Sequence, residues 1–279
     1  MFREELDRID SVPMLPAMVS RVLGMMDDPN VTAYQLADVV SKDQSLVTSI
    51  LRIVNSSYYG FHWRISSISQ AVVLLGFRTI RNLVLATSVI NTFGAQSEES
   101  LFDRRVHWKH SIACATGAAL LARTWRCCSP EDAFLAGLVH DVGRVIMDQL
   151  APQEFATALK RARDGQMTLF EAEQEVFHIT HAEIGRHIAL KWSFPDQVAA
   201  AIAYHHAPAG AKKWTHLSAV VHTADMMARS ANLAVGPWPA VYEAGALDAL
   251  GQAEEGIEAL TQAFAEEFEK SNFMDELVA

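Results

Sequence analysis

Cysteine is scarce in this chain of 279 residues, and the three present, Cys114, Cys127 and Cys128, form no CxxC pair. That excludes a disulfide scaffold and suits a reduced, cytoplasmic setting. Long apolar runs are absent too: none approaches the roughly 18 residues that a membrane-spanning helix needs. The opening Met1-Phe-Arg-Glu-Glu-Leu-Asp7 is charged and does not read as a signal peptide, so no membrane insertion is expected. Strand-like alternation is rare. Excess positive charge is missing as well. Net charge is −10, but ten acidic residues and one lysine fall between Tyr242 and the end, so the preceding 241 residues are nearly neutral. No broad basic face for duplex nucleic acid follows from that balance.

What remains is helical periodicity in an ordinary globular composition, 50% apolar and 20% charged. Leu15, Val19, Val22 and Leu23 recur at helical spacing before Asp27-Asp-Pro-Asn30 breaks the pattern. Thr32 reads as the cap of a helix over 33–41 and Ser45 as the start of another. Ser67 to Leu75 forms a third, stopped by Gly76, and 77–93 a fourth. Residues 94–100 read as a linker. Beyond it, Asp103 precedes a helix over 104–125, and Ser129-Pro130 pairs a cap with a proline at the first helical position. Thr168-Leu-Phe-Glu171 and Thr180-His-Ala-Glu183 are capping boxes. Pro195 opens a helix ending near His205-His206, Thr215 starts one through Arg229, and 254–270 sets Ile257, Leu260, Phe264 and Phe268 on one face. The expected fold is all-α and two-lobed: an N-terminal helical lobe over 1–96, a helical bundle over 97–241 and an acidic helical appendix over 242–279.

Histidine and aspartate fall on these helices in a suggestive order. His140-Asp141 ends the helix opened by Pro130, His107 and His110 lie one turn apart, and His181 sits in the first turn after Thr180. His205-His206 ends a further helix, and His222 and Asp225 are again one turn apart. Facing helices of a bundle can aim such side chains into one cavity. The set is rich in nitrogen and oxygen and lacks thiolate, which favours iron, manganese, nickel or zinc in a two-ion centre over a cysteine-type zinc site. Asp141 is the natural bridge between two ions, and two ions suit phosphoryl hydrolysis. Arg144 would hold a guanidinium near a phosphate. A lone histidine in a helical protein is usually a surface or core residue, and His62, His178, His187 and His216 are assigned that way.

Leu51-Arg-Ile-Val-Asn-Ser-Ser-Tyr-Tyr-Gly60, Ile68-Ser-Gln-Ala-Val-Val-Leu-Leu-Gly76, Arg81-Asn-Leu83, His181-Ala-Glu-Ile-Gly185, Trp192-Ser-Phe-Pro195 and His205-His-Ala-Pro208 together resemble an HDOD domain. HDOD domains are relatives of the HD and HD-GYP metal-dependent phosphohydrolases. The resemblance runs from about Leu15 to Arg229 and implies an all-α module of bacterial signal transduction. It implies a metal-ligand set of His110, His140, Asp141, His181, His205, His206 and Asp225. Val106 stands where some three-metal HD-GYP sites have glutamate, Arg144 replaces the usual lysine, and the Gly-Tyr-Pro loop is absent. Retained ligands with altered surroundings imply a regulatory module that binds metal and acts through a ligand or partner. The alternative is an active phosphodiesterase on a nucleotide or cyclic dinucleotide, with Asp141 and Arg144 as its catalytic residues.

A second candidate surface lies between Asp43 and Glu98, where no acidic residue occurs. Arg52, Arg64, Arg78 and Arg81 share that interval with Tyr58, Tyr59, Phe61 and Trp63. Arginine forks beside aromatic rings suit a nucleotide, single-stranded nucleic acid, a phosphorylated protein partner or an acidic peptide. The plainer assignment is that the aromatics pack a lobe interface. Oligomeric state is left open.

Overall fold

Polar caps set half of the helix starts, because a side-chain oxygen satisfies an amide that the first helical turn leaves unpaired. A computed structural model describes residues 12, 14–26, 28, 30–56, 59–94, 101–165, 167–233 and 243–270; Tyr58 and the linker residues 95–100 lie outside these. In chain order the helices are α1 Ala17–Met26, α2 Ala33–Val40, α3 Gln44–Val54, α4 Ile68–Phe93, α5 Arg104–Trp125, α6 Pro130–Val139, α7 Val142–Leu150, α8 Pro152–Asp164, α9 Leu169–Phe177, α10 His181–Lys191, α11 Asp196–Tyr204, α12 Thr215–Ser230, α13 Ala244–Leu250 and α14 Glu254–Lys270. A 3-10 segment, Pro208–Trp214, precedes α12. No strand occurs among the described residues, so the protein is all-α.

Thr32, Thr168 and Thr180 form reciprocal capping boxes with Gln35, Glu171 and Glu183, and Asp103 and Ser129 cap α5 and α6. The third helix corrects the sequence expectation: Asp43 caps it, accepting from the Leu46 amide, so it starts at Gln44 instead of Ser45. Gly76 interrupts the helical run where the sequence placed a stop, so 68–75 and 77–93 are two helical stretches within α4. It breaks α4 with φ 81° and ψ 165°, a conformation that glycine adopts without a Cβ penalty. Helix α4 is long and apolar enough on average to cross a membrane, which no uninterrupted apolar run had suggested. Its residues Ile80, Leu83, Val84, Leu85, Ala86 and Val89 are buried, as expected of a core helix.

The chain divides into two compact units. One contains α1 to α4 and the end of α14 from Ala263; the other contains α5 to α13 and the start of α14. Leu36, Val40, Leu46, Ile50, Ile53 and Val54 make the first core. Within that unit Asn55 clamps the following loop, accepting from Ile65 N at 2.7 Å and donating to Ile65 O at 2.8 Å. In the second unit α5 packs on α6 and α12, α7 on α10, and α13 on α12. Trp108, Ile112, Leu135, Leu138, Phe155 and Val220 fill this core, each burial contributing about 1.5–3 kcal/mol. A buried ion pair, Arg104 Nη2 to Asp148 Oδ2 at 2.6 Å, ties the start of α5 to α7.

Candidate metal centre

Two glycines let the helices of the second unit meet backbone to backbone. A Cβ on Gly137 would lie 2.7 Å from the Cys114 carbonyl oxygen and 2.8 Å from Ala115 Cα. Without it, α6 presses onto α5, and His140, which caps α6, reaches the face that carries His110 and Cys114. A Cβ on Gly143 would lie 2.0 Å from the His181 carbonyl oxygen, so the first turns of α7 and α10 touch. Asp141, in the bend between α6 and α7, thereby reaches His181.

Four imidazoles share one arrangement. Nδ1 of His110 donates to the Leu233 carbonyl at 3.0 Å, that of His140 to Gly137 at 2.7 Å, and that of His205 to Ile202 at 2.8 Å. Nδ1 of His181 donates to Glu173 Oε2 at 2.5 Å. These oxygens can only accept, so Nδ1 carries the hydrogen and Nε2 of each ring turns inward, where its lone pair can ligate an ion. His181 Nε2 then stands 3.3 Å from His205 Nε2 and 3.2 Å from His206 Nε2. Asp141 Oδ1 lies 3.0 Å from His181 Nε2 and 3.6 Å from His205 Nε2; its Oδ2 lies 3.5 Å from His140 Nε2 and 3.9 Å from His110 Nε2. His110 Nε2 is also 3.1 Å from Asp225 Oδ1. His140 Nε2 and Asp141 Oδ1 are buried yet have no hydrogen bond of acceptable geometry.

Such convergence fits cations better than hydrogen bonds. The donors fall into two groups, His110, Cys114, His140 and Asp225 in one and Asp141, His181, His205 and His206 in the other, each with its donor atoms within 4.8 Å of one another. All seven residues chosen from sequence therefore meet in space. Two others join them. Glu173 is fully buried, holding His181 through Oε2 and accepting from Arg144 Nε at 2.9 Å through Oε1. Its signal in the sequence was its place beside Leu169, Ala172 and Phe177 on the buried face of α9. Cys114 follows His110 by one helical turn.

Other residues take supporting places. Arg144 is held by the carboxylates of Asp141 and Glu173, so its fork faces protein anions in this arrangement. His222 spends both ring nitrogens on backbone, donating to the His205 carbonyl at 2.7 Å and accepting from Glu243 N at 2.9 Å; it positions His205. Asp225, not His222, faces the donors, and it also accepts from Arg229 Nε at 2.8 Å. His107 is buried between Phe102 and Trp108 and belongs to neither donor group. His62, His178 and His216 are exposed and His187 half-buried. Val106 is exposed as well.

Loss of solvent pushes three of the histidines down, His140 to about 3 and His107 and His206 well below 6.5. Burial also opposes ionisation of Asp141, but Arg144, His140 and His181 outweigh it and hold its carboxyl well below the usual range. His181 moves up: burial and Arg144 oppose its charge, and Glu173 and Asp141 overcome them. Metal-free protein will therefore lose stability in mild acid. Below the unfolded value of 6.5, the unfolded chain takes up protons that native His107, His140 and His206 refuse, so stability falls with pH. His181 acts in the opposite sense and is outnumbered. From about pH 7.5 to about pH 5, His140 alone contributes a loss of about 2 kcal/mol. Thermal melts checking this should show a lower Tm at the acid end; an unchanged Tm would contradict the assignment.

Glu173→Gln tests the support behind His181. Glutamine offers one acceptor oxygen where Glu173 sets one oxygen on Arg144 and the other on the His181 ring, so metal affinity at the second group should drop about 10–100-fold. Chelator competition measures it, and unaltered affinity would remove Glu173 from the centre.

Arg52 and Arg64 line one groove of about 870 Å³ with Phe61 and Trp63, whose ring centroids are 5.8 Å apart. Arg78 and Arg81 follow the Gly76 break in α4 and do not line that groove; Arg81 donates to Asn82 Oδ1 at 3.0 Å.

The HDOD domain family matches residues 12–208, and the chain belongs to that family. A crystal structure of an HDOD domain protein of unknown function from Geobacter sulfurreducens is 26% identical, with a TM-score of 0.74 over 99% of this chain and 90% of that one. A protein from Shewanella amazonensis SB2B, whose name proposes a phosphohydrolase, has the same fold at 24% identity, with a TM-score of 0.77 over 98% and 97% of the two chains. An uncharacterized protein of Treponema pallidum (strain Nichols) is 27% identical over 225 residues, covering 80% of this chain. The chain spans 43% of that relative's length.

Proposed function

We propose that this HDOD protein is a signalling or regulatory module that retains a two-ion metal centre and acts through ligand or partner binding. The observation that carries the metal reading is the shared ring orientation: four histidines tie Nδ1 to an acceptor and turn Nε2 toward Asp141 and one another. Asp141, His181, His205 and His206 would hold one ion, and His110, His140 and Asp225 the other, with Asp141 between them. Iron, manganese, nickel and zinc all suit the nitrogen and oxygen donors. Ions at such a site polarise phosphoryl oxygens and activate water.

The chain's own arginines favour regulation over turnover. A cavity of about 450 Å³ beside His206 is lined by Arg144, Arg229, Phe170, Met226 and Glu243. Both arginines already face carboxylates, Arg144 those of Asp141 and Glu173 and Arg229 that of Asp225. An anionic substrate would have to compete for them. The same cavity supports the second reading, a phosphodiesterase on a nucleotide or cyclic dinucleotide, since two guanidiniums lie within one pocket wall. Partner binding has its candidate in the Arg52, Arg64, Phe61 and Trp63 groove, where a nucleotide or a phosphorylated partner would meet arginine and aromatic faces together.

Metal analysis of protein purified under reducing conditions, joined to a phosphodiesterase screen with manganese and iron, separates the readings. Bound metal without turnover is expected. Hydrolysis that disappears in His140→Ala and Asp141→Ala would establish the enzyme instead.

A further inference from the structure

Cys114 lies where a sulfur donor would complete the first ion's site. It is fully buried on α5, four residues after His110 and on the same helical face, and its Sγ is 3.5 Å from His110 Nε2. The contact at Gly137 presses α6 against the Cys114 backbone, and His140 one turn beyond brings in a buried Nε2 that has no partner of its own. Asp225 closes the group from α12. Without Cys114, that group offers an ion two imidazoles and a carboxylate, with the shared Asp141 beyond them.

We propose that Cys114 is a thiolate ligand of the first ion, which makes the two metal sites chemically unequal. This inference rests on the two-ion reading above. As the metal–sulfur bond forms, the thiol proton leaves to solvent. One sulfur, two nitrogens and one oxygen form a softer set than the three imidazoles and carboxylate of Asp141, His181, His205 and His206. The first site therefore prefers zinc or cobalt, whereas the second also accepts manganese and iron. The bland alternative is that Cys114 serves only as a small side chain at the helix contact.

Cobalt titration of the metal-free, full-length protein under reducing conditions distinguishes these. Cobalt in either site gives visible ligand-field bands, and a thiolate ligand adds a charge-transfer band in the near ultraviolet. We expect that band to saturate with the first equivalent of cobalt. It should persist in the Cys127→Ser, Cys128→Ser double variant, where Cys114 is the sole cysteine of the original three. It should vanish in Cys114→Ser while the visible bands of the second site remain. Zinc affinity of the first site should fall by about 100-fold or more in that variant, at or beyond the upper end of what losing a partner behind a ligand costs. Visible bands without the near-ultraviolet band, in wild type or in the double variant, would overturn the role of Cys114 and leave the two-ion centre standing. No cobalt binding of any kind would overturn the two-ion centre itself. The double variant leaves Cys114 in place, so the result does not depend on Cys114→Ser folding.

Discussion

Asp141→Ala will weaken both ions at once. Among the described residues, Asp141 is the one carboxylate that reaches both donor groups, Oδ1 toward His181 and His205 and Oδ2 toward His140 and His110. A four-ligand site binds with an apparent free energy of about 10–16 kcal/mol, so one ligand's share is roughly 3 kcal/mol, a hundredfold or more in affinity. The metal-free protein should suffer as well. Arg144 is buried against Asp141 and Glu173, and removing one partner of a buried ion pair costs about 3–5 kcal/mol, partly offset here by the remaining Glu173. A Tm lowered by several degrees together with loss of both ions is the expected result. Loss of one ion alone would mean that Asp141 is a terminal ligand rather than a bridge. Asp141→Asn, which keeps the shape and removes the charge, should behave like alanine in metal binding.

Gly143→Ala will damage the second site through the backbone alone. The added Cβ would sit 2.0 Å from the His181 carbonyl oxygen and 2.7 Å from its carbon, a distance no real contact sustains. The first turns of α7 and α10 must then separate, taking Asp141 away from His181. Overpacking of this kind costs about 1–3 kcal/mol, and a clash against backbone belongs at the upper end. The second ion should be weakened more than the first, whose donors His110, Cys114, His140 and Asp225 do not lie across that contact. Gly24→Ala provides the contrast, since a Cβ there meets nothing within 4 Å and Gly24 lies inside α1. That change should be neutral or stabilising by about 0.5–1 kcal/mol. Equal behaviour of the two variants in urea melts would contradict the close-approach account.

The elements were readable from sequence because caps act within a few residues. Thr32, Asp103, Ser129, Thr168 and Thr180 each satisfy an amide in the turn that follows, so local chemistry marked the start. Asp43 and Ser45 show the limit: both are competent caps, and only the folded chain shows Asp43 bonding the Leu46 amide. The candidate ligands were readable by order and type, but their mutual arrangement was not. His222 and Asp225 sit one turn apart, and nothing local says that His222 turns to backbone while Asp225 turns to His110. Glu173 stands outside every motif of the sequence, and only its apolar neighbours at helical spacing place it inward. Cys114 stands alone in the sequence, and only the folded chain sets its Sγ beside His110 Nε2. Arg144 was expected to wait for a phosphate, yet two buried carboxylates close by claim its fork. Of the four arginines of the acid-free interval, Arg52 and Arg64 line the groove with Phe61 and Trp63, and Arg78 and Arg81 follow the Gly76 break in α4.

Anomalous diffraction from crystals of the full-length protein loaded with zinc and manganese tests the central claim most directly. The account predicts two peaks in the second helical unit, one among Asp141, His181, His205 and His206 and the other among His110, Cys114, His140 and Asp225. A single peak, or none between these side chains in metal-replete crystals, would contradict it.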